Sequence, residues 1–272
     1  MSDRAVLRVR ASSWAALFDC AYRWEGIHLL DMRNPVGLRA ALGTAIHSGT
    51  AVFDQSRIDG SGLTPDDAAG ATIDKLHDPE NEFEADKDDL TMADAERIGV
   101  SLVAKYCQDV SPRYRFVSVE METKPLKIDC GDGISILLTG TLDRARVLSS
   151  SSSGYGIADL KSGAAAVAKG VAVTKGHGPQ VGTYELLFEH STGERITDDA
   201  EIIGLKTAGK LEIGTGIVRN AKAAMLGTED QPGLIQFAAR MFRSGDFYPN
   251  SKSLLCSAKY CPRHPTCRFA EK

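Results

Sequence analysis

The chain has 272 residues, of which 43% are hydrophobic and 25% are charged, and its formal net charge is −4. This composition is typical of a globular protein with one large domain, and without a run of about 18 apolar residues no membrane span and no membrane partner are predicted. The N-terminal segment MSDRAVLRVR lacks the apolar core of a signal peptide, so we expect a cytoplasmic protein. The net charge argues against coating of nucleic acid through bulk charge, but it is compatible with a local basic channel.

Helical patterns dominate the first 110 residues. The predicted helices cover residues 12–30, 37–55, 64–76 and 91–109. Ser12 or Ser13 is the expected N-cap of the first, and Thr64 caps the third, with Pro65 at its first helical position. The acidic segment 78–89 is predicted to be a solvated loop.

The pattern becomes β-rich after residue 110, with turn signals between the segments. The first three predicted strands form a meander interrupted by a serine-rich loop at 149–153, and the last two form a hairpin. The predicted strands cover 115–128, 134–148, 155–161, 200–207 and 210–218. Helices are predicted over 178–190 and 233–245, before a cysteine-bearing tail. This order predicts an α/β fold in which a mixed sheet lies behind a helical N-terminal region.

Asp143 is the first acidic residue that the strand patterns place in apolar surroundings, since its segment is otherwise rich in Leu, Val, Thr and Ala. A carboxylate in such a setting is costly unless it is paired or binds a metal. A salt bridge to Arg144 or Arg146 is the structural alternative. Adjacent strand residues face opposite sides, which weakens that alternative for Arg144.

The segment GIADLKSG, at 156–163, raises a similar choice. Asp159 and Lys161 are two residues apart, so on a strand they project from the same face. They form either a solvated ion pair at the edge of a strand or a metal-binding carboxylate beside a lysine that handles a water molecule. Asp143 and Asp159 on neighbouring strands could hold Mg²⁺ or Mn²⁺, which prefer oxygen ligands.

Three further features have weak signals of their own. Glu120 and Glu122 share a strand face, so either could point inward. His47 lies on a predicted apolar helix, where a lone histidine is more often a satisfied core residue than a ligand. Gln180 and Tyr184 are one helical turn apart and share a face, either at a site or simply covering the sheet.

Taken together, these residues resemble the PD-(D/E)xK nucleases, and specifically the RecB-like branch with its CRISPR-associated and AddB-type members. That branch shows a helix histidine, a glutamate, an aspartate in a GxxD strand, a D-x-K strand and a Q-x-x-x-Y helix. The matching positions here are His47, Glu120, Asp143 in GTLD, Asp159 and Lys161 in DLK, and Gln180 and Tyr184 in QVGTY. The D-x-K pattern alone is common, but five elements in the same order are specific.

The resemblance implies a restriction-endonuclease-like core in a single domain over 1–272. Its mainly helical part would be 1–110, its catalytic β-rich core 111–218, and its C-terminal helix and cysteine cluster 219–272. The implied metal ligands are His47, Asp143, Asp159 and the backbone carbonyl of Leu160. Lys161 would assist the attacking water. Glu120, Gln180 and Tyr184 would complete the catalytic set, the last two by organising the site and contacting DNA.

Three of the six cysteines fall within twelve residues of the tail, as C-x₄-C-x₅-C at Cys256, Cys261 and Cys267. Clustered cysteines in a reducing compartment indicate a metal site. Cys20, far upstream, is the candidate fourth ligand because FDCAYRWE resembles the N-terminal cysteine segment of RecB-like nucleases with a [4Fe–4S] cluster. Four thiolates also suit Zn²⁺, and His264 could replace one of them.

These resemblances imply a Mg²⁺- or Mn²⁺-dependent deoxyribonuclease, most simply an exonuclease acting on single-stranded DNA or duplex ends. The expected context is DNA recombination, repair, replication or phage DNA processing, and any helicase or recombinase partner would be a separate protein. Two alternatives stay open: a catalytically silent DNA-binding or assembly module, and a zinc-clasped structural protein.

Overall fold

The computed structural model describes residues 5–80, 82–84, 87–147 and 154–271. Its helices are α1 Trp14–Asp19, α2 Ala21–His28, α3 Leu38–Asp59, α4 Pro65–Leu76, α5 Met92–Lys105, α6 Gly178–Thr192, α7 Ala221–Leu226 and α8 Leu234–Ser244. Its strands are β1 Ala5–Arg10, β2 Val36–Gly37, β3 Phe83–Glu84, β4 Arg115–Glu122, β5 Leu126–Asp129, β6 Ile134–Thr139, β7 Thr141–Val147, β8 Tyr155–Gly163, β9 Val167–Ala168, β10 Val171–Ala172, β11 Ala200–Lys206 and β12 Glu212–Val218. The predicted serine-rich loop at 149–153 lies outside the described residues.

A five-stranded mixed sheet in the order β12-β11-β8-β7-β4 forms the centre of the fold. Strand β8, which carries Asp159 and Lys161, is the middle strand; it pairs parallel to β11 and antiparallel to β7. The predicted hairpin is confirmed, since β11 and β12 pair antiparallel. Helices α3, α4 and α5 pack on one face of this sheet through an apolar core that includes Leu160. The predicted α/β class with a mixed sheet and a helical N-terminal region is therefore confirmed.

The second face of the central sheet is covered by α6 and by a separate three-stranded sheet in the order β1-β6-β5. The predicted three-strand meander is wrong, because its first two segments each contain two strands. Gly140 separates β6 from β7 and lets the chain pass from one sheet to the other. A Cβ atom at Gly140 would lie 2.9 Å from Cε1 of Tyr184, so the break also makes room for a predicted site residue.

The single helix predicted over 12–30 is wrong as well, because Cys20 interrupts it. Cys20 has an extended backbone (φ −145°, ψ 95°) between α1 and α2. Ser13 precedes α1, but its hydroxyl donates to the Arg10 carbonyl instead of capping the helix. In contrast, Thr64 and Asp67 form the expected capping box of α4. The break matters because it gives Cys20 a direction that a continuous helix would not allow.

The acidic segment 78–89 is not the fully solvated loop predicted for it. It contributes β3, which pairs parallel to β2, and Asp88, whose side chain is only 6% exposed. Asp88 Oδ2 accepts a hydrogen bond of 2.8 Å from the Arg39 amide at the start of α3. Among the residues that the structure describes, no helix is long and apolar enough to span a bilayer.

Candidate active site

The register of three neighbouring strands brings three carboxylates to the same level of the central sheet. Glu120 of β4 lies between the pairs Val119↔Arg144 and Met121↔Leu142, and so stands opposite Asp143 of β7. The antiparallel pairing of β7 with β8 ends at Arg144↔Ala158. The next positions along these strands are Asp143 and Asp159. Asp143 and Asp159 therefore lie just beyond the last backbone pair of β7 and β8.

Beyond this pairing, the side chain of Asp143 provides the hydrogen-bond acceptor for the backbone of β8. Its Oδ2 accepts a hydrogen bond of 2.9 Å from the amide of Leu160 and lies 3.6 Å from Nδ1 of His47. Arg144 contacts Asp143 only at its backbone carbonyl, at 2.7 Å. The alternative of a structural salt bridge from the Asp143 side chain to an adjacent arginine therefore does not describe this site.

His47 reaches the sheet from α3, which approaches β8 closely one turn earlier. A Cβ atom at Gly43 would lie 2.9 Å from the hydroxyl of Ser162. Burial lowers the pKa of His47, and this effect outweighs the opposing charge of Asp143. His47 is therefore held as the neutral imidazole, the form in which histidine binds metals.

Glu120 forms a compact group with His47 and Asp143, the acidic group of the site. One ligand atom from each of the three lies within 4.8 Å of the others. Glu120 has a left-handed backbone (φ 45°), which is rare for a residue with a side chain and is often found at functional positions. Its side chain is 41% exposed, and burial, followed by the charge of Asp143, raises the pKa of its carboxyl.

Asp159 and Lys161 form a second part of the site on β8. Asp159 is fully buried, and its Oδ2 lies 2.5 Å from Nζ of Lys161. Burial and then the charge of Asp143 raise the pKa of Asp159, while Lys161 lowers it. A solvated pair at a strand edge is therefore wrong, because the pair lies in the central strand.

Helix α6 contacts this second part directly. Gln180 Nε2 donates hydrogen bonds to Asp159 Oδ1 at 3.4 Å and to the Tyr184 hydroxyl at 3.1 Å. Burial, followed by the charges of Asp143 and Asp159, raises the pKa of Tyr184. The predicted Q-x-x-x-Y pair thus lies against a site carboxylate and does more than cover the sheet.

Arg144 is a component of the site that sequence reasoning missed. Its side chain is fully buried on the opposite face of β7, where Nε pairs with Asp54 Oδ2 at 2.7 Å. Asp54 also accepts hydrogen bonds from Tyr106 at 2.6 Å and Ser111 at 2.5 Å. Asp54 could have indicated this network from the sequence, because an acid on the apolar face of a predicted helix requires a buried partner.

Arg144 connects that buried network to the acidic group. Its NH1 donates to Glu120 Oε1 at 3.1 Å and to the carbonyl of Asp143 at 2.7 Å. One guanidinium therefore holds the backbone of one acid and the side chain of another. The planar fork of arginine, with five donors, suits such a role.

The donor set fits a divalent metal such as Mg²⁺ or Mn²⁺, because carboxylate oxygens and imidazole suit those ions. Oδ2 of Asp159 is buried and contacts Nζ of Lys161 at 2.5 Å, as an ion pair and not as a hydrogen bond, so the carboxylate is held beside a positive charge. Asp159 itself lies outside the 4.8 Å group. The predicted carbonyl ligand of Leu160 accepts a contact of 3.3 Å from Nζ of Lys161.

The four predicted cluster cysteines line one pocket, although Cys20 is more than 230 positions from the others. His264 lines it too. Partial burial and then the neighbouring thiols raise the pKa of Cys256. The residues around the pocket are bound together, since Ser253 Oγ donates to Asp19 Oδ2 at 2.5 Å and Asn250 donates to the Asp19 carbonyl at 2.9 Å. The break at Cys20 thus presents this thiol to the tail.

The spacing of these thiols bears on the choice of metal. A tetrahedral zinc site has sulfur atoms about 3.8 Å apart, given Zn–S bonds of about 2.3 Å. Among the described residues, the group of potential ligand atoms within 4.8 Å of one another is His47, Glu120 and Asp143, and the thiols form no such group. No three of the four thiols therefore lie within 4.8 Å of one another.

Comparison with known proteins gives a family and a fold. Residues 9–268 match the family model described as the PD-(D/E)XK nuclease superfamily. The structure is similar to the crystal structure of a protein from Eubacterium rectale named "Putative exonuclease", with a TM-score of 0.56 and 13% identity over 97% of this chain and 89% of that chain. A second solved structure covers 94% of this chain and 97% of its own at 13% identity, with a TM-score of 0.37. No curated protein matches the sequence.

Proposed function

The chain belongs to the PD-(D/E)XK nuclease superfamily, and we propose that it is a Mg²⁺- or Mn²⁺-dependent deoxyribonuclease of the RecB-like type, acting as an exonuclease. The observation that carries this proposal is the convergence of His47, Glu120 and Asp143 within 4.8 Å, beside the buried pair of Asp159 and Lys161. The similarity in fold to a protein named as an exonuclease supports the choice of reaction.

Each side chain then has a defined task. His47, Glu120, Asp143 and Asp159 would hold one or two metals, which would polarise a phosphoryl oxygen and lower the pKa of a bound water. Lys161 would orient the attacking water and donate to the negative charge that develops on the phosphate.

Helix α6 would keep this arrangement oriented. Gln180, which donates to both Asp159 and Tyr184, fixes the direction of that carboxylate. Hydrolysis adds the water oxygen to phosphorus and breaks the P–O bond to the leaving nucleotide. DNA would be held mainly through its phosphates.

The catalytic assignment is tested by the variants Asp159→Ala and Lys161→Ala. Both should abolish Mn²⁺-dependent degradation of end-labelled DNA, because one loses a metal ligand and the other loses the positive charge beside the water. Assays on single-stranded and duplex substrates would identify the preferred DNA. Release of mononucleotides from one end identifies an exonuclease, whereas internal fragments identify an endonuclease.

The matched control is Lys105→Ala, which removes an exposed lysine that pairs with Asp109 on the surface. It should degrade DNA at the wild-type rate. Unchanged degradation by both site variants would refute the catalytic assignment. A wild-type protein that binds DNA but never cleaves it would identify the silent binding module instead.

We also propose that Cys20, Cys256, Cys261 and Cys267 hold a [4Fe–4S] cluster that clasps the C-terminal tail to α1 and α2. The four thiols around one pocket support this choice. Anaerobic purification should give a brown protein with about four irons per chain, and Cys256→Ser should lower the iron content. A colourless protein that contains only zinc and folds normally would contradict the cluster.

The cellular context is also a proposal. A nuclease of this type suits DNA recombination, repair, replication or phage DNA processing in the cytoplasm. Since the proposed activity consumes DNA ends, a separate helicase or recombinase is the partner class we expect. Co-purification of such a partner with a tagged, Asp159→Ala chain would support that context, and a set of partners unrelated to DNA would argue against it.

A further inference from the structure

A second cleft lies between the N-terminal helices and the cysteine-bearing tail. Its volume is about 410 Å³, and its walls come from the end of α2, strand β2, the start of α3 and the tail around residue 260. Among the residues that the structure describes, five cationic side chains line it, together with one acid, Asp88. The cations are Arg23, Arg33, Arg39, Lys87 and Lys259. This concentration stands out in a chain whose net charge is −4.

Acids around the cleft pair with three of these cations and neutralise part of the charge. Asp88 is occupied by the Arg39 amide and by Lys259, whose Nζ lies 3.3 Å from it. Arg33 and Arg39 pair with Asp31 and Asp89, which are 83% and 88% exposed. Such exposed pairs contribute little and are easily exchanged for another anion. Arg23 and Lys87 donate to the backbone carbonyls of Tyr260 and Pro35 and have no acidic partner among the described residues. The cleft therefore keeps a positive charge that can attract phosphate.

An aromatic ring lies at the mouth of the cleft. Tyr260 is 44% exposed, and Nζ of Lys259 lies 5.6 Å from the centre of its ring. The backbone of this part of the tail is fixed, since Arg23 donates to the Tyr260 carbonyl at 3.0 Å and Asn34 donates to the Ala258 carbonyl at 3.1 Å. Ile27, Met32 and Pro262 add apolar surface to the lining. An exposed ring beside cations is the combination that binds single-stranded nucleic acid by stacking and charge.

The cleft and the acidic group are both lined by residues of α3. Arg39 lines the cleft, and His47 lies eight residues further on the same helix, which is about 12 Å at 1.5 Å per residue. Ala40 and Thr44 are exposed between them. The two sites are therefore within reach of one strand of DNA.

We propose that this cleft binds the single-stranded DNA that is fed to the acidic group, with a base stacked on Tyr260 and phosphates held by Arg33, Arg39 and Lys259. The proposal rests on the proposed nuclease function. It assigns a substrate-binding role to the loop between Cys256 and Cys261, so that the cysteine pocket would position the DNA strand as well as the chain terminus.

Stacking is tested by fluorescence anisotropy with a labelled oligothymidylate, in EDTA so that no hydrolysis occurs. Tyr260→Ala should weaken binding about fivefold or more, as expected for the loss of one stacked base. Tyr260→Phe keeps the ring and should bind like the wild type. Equal binding by wild type, Tyr260→Ala and Tyr260→Phe would overturn the stacking role.

The charge is tested by the double variant Arg33→Gln/Arg39→Gln, which removes two cations from exposed ion pairs only. The slope of log affinity against log salt concentration should fall by about 1.4, because each phosphate contact to a single strand contributes about 0.7. The matched control, Lys105→Gln/Arg115→Gln, removes two exposed cations from the end of α5 and the start of β4 and should keep the wild-type slope. Equal slopes for both double variants would overturn the cleft as the binding site.

The same variants separate this proposal from the nuclease proposal. On long single-stranded DNA, the double variant should raise KM, whereas hydrolysis of bis(p-nitrophenyl) phosphate, which is too small to span both sites, should not change. A wild type that binds the oligonucleotide but cleaves nothing contradicts the nuclease proposal and leaves the cleft intact. A wild type that cleaves, with unchanged oligonucleotide binding in every cleft variant, contradicts the cleft alone.

Discussion

Arg144 shows at the scale of one residue how the acidic group is held in place. Ion pairs between carboxylates and a buried guanidinium stabilise the fold only if all partners are present. An unpaired buried charge costs about 3–5 kcal/mol of folding free energy. Here the partners are Asp54 on one face and Glu120, with the carbonyl of Asp143, at the other end of the same side chain. The geometry of Glu120 therefore depends on an interaction that lies outside the site.

The variant Arg144→Lys keeps the buried charge but loses the fork that reaches Glu120. Loss of a hydrogen bond to a charged group is worth about 1.5–3 kcal/mol, so we expect a reduction of about tenfold or more in Mn²⁺ affinity. The measurement is the Mn²⁺ dependence of the degradation rate, with thermal unfolding of the same samples.

The control for this positioning role is Asp54→Asn, which disturbs the buried network without touching Glu120. It should lower the unfolding temperature more than it changes the Mn²⁺ dependence. If both variants change stability and Mn²⁺ dependence in the same proportion, Arg144 is a structural residue only.

The candidate residues were accessible from sequence to different degrees. Asp159 and Lys161 share a strand face by a period of two, and Gln180 and Tyr184 share a helix face, so local geometry predicted both pairs. The left-handed backbone of Glu120 has no such signal, because the residue is not glycine. The partner of Arg144 could not be predicted either, since Asp54 is 90 residues away in the chain.

At the scale of elements, long helices with capping signals were predicted well and strand pairing was not. Helices α4 and α5 carry Thr64 and Thr91 as N-caps, and both caps are formed. Strand β1 was not predicted at all; it pairs parallel to β6, more than 120 residues away. This pairing depends on the burial of Val9 in the core, and the short alternating segment around Val9 does not indicate that burial.

Two breaks in the elements have functional consequences that the sequence patterns hid. The hydrophobic pattern of residues 12–30 continues through Cys20 and so indicated one helix. The structure interrupts it there, and the thiol faces the tail. The other break, at Gly140, sends β6 and β7 into different sheets and leaves room for the Tyr184 ring. In each case the local backbone conformation fits a contact with residues that are distant in the sequence.

At the scale of the whole molecule, the site residues come from both faces of the central sheet and meet near the middle of β8. Helix α3 contributes His47 from one face, and α6 contributes Gln180 and Tyr184 from the other. The tail returns to α1 and α2, and with them forms both the cysteine pocket and the cationic cleft. Because these contacts join the two ends of the chain, sequence spacing alone could indicate the partners but not the cleft that they enclose.

The proposed binding of a divalent metal by His47, Glu120 and Asp143 is tested most directly by calorimetric titration of Mn²⁺ under anaerobic conditions. The variant Asp143→Asn keeps the shape of the side chain and an oxygen for the Leu160 amide, but it removes the charge. The wild type should bind Mn²⁺ saturably, and Asp143→Asn should bind it far more weakly while unfolding at a similar temperature. Wild-type Mn²⁺ binding by Asp143→Asn, or no binding by the wild type, would contradict the assignment.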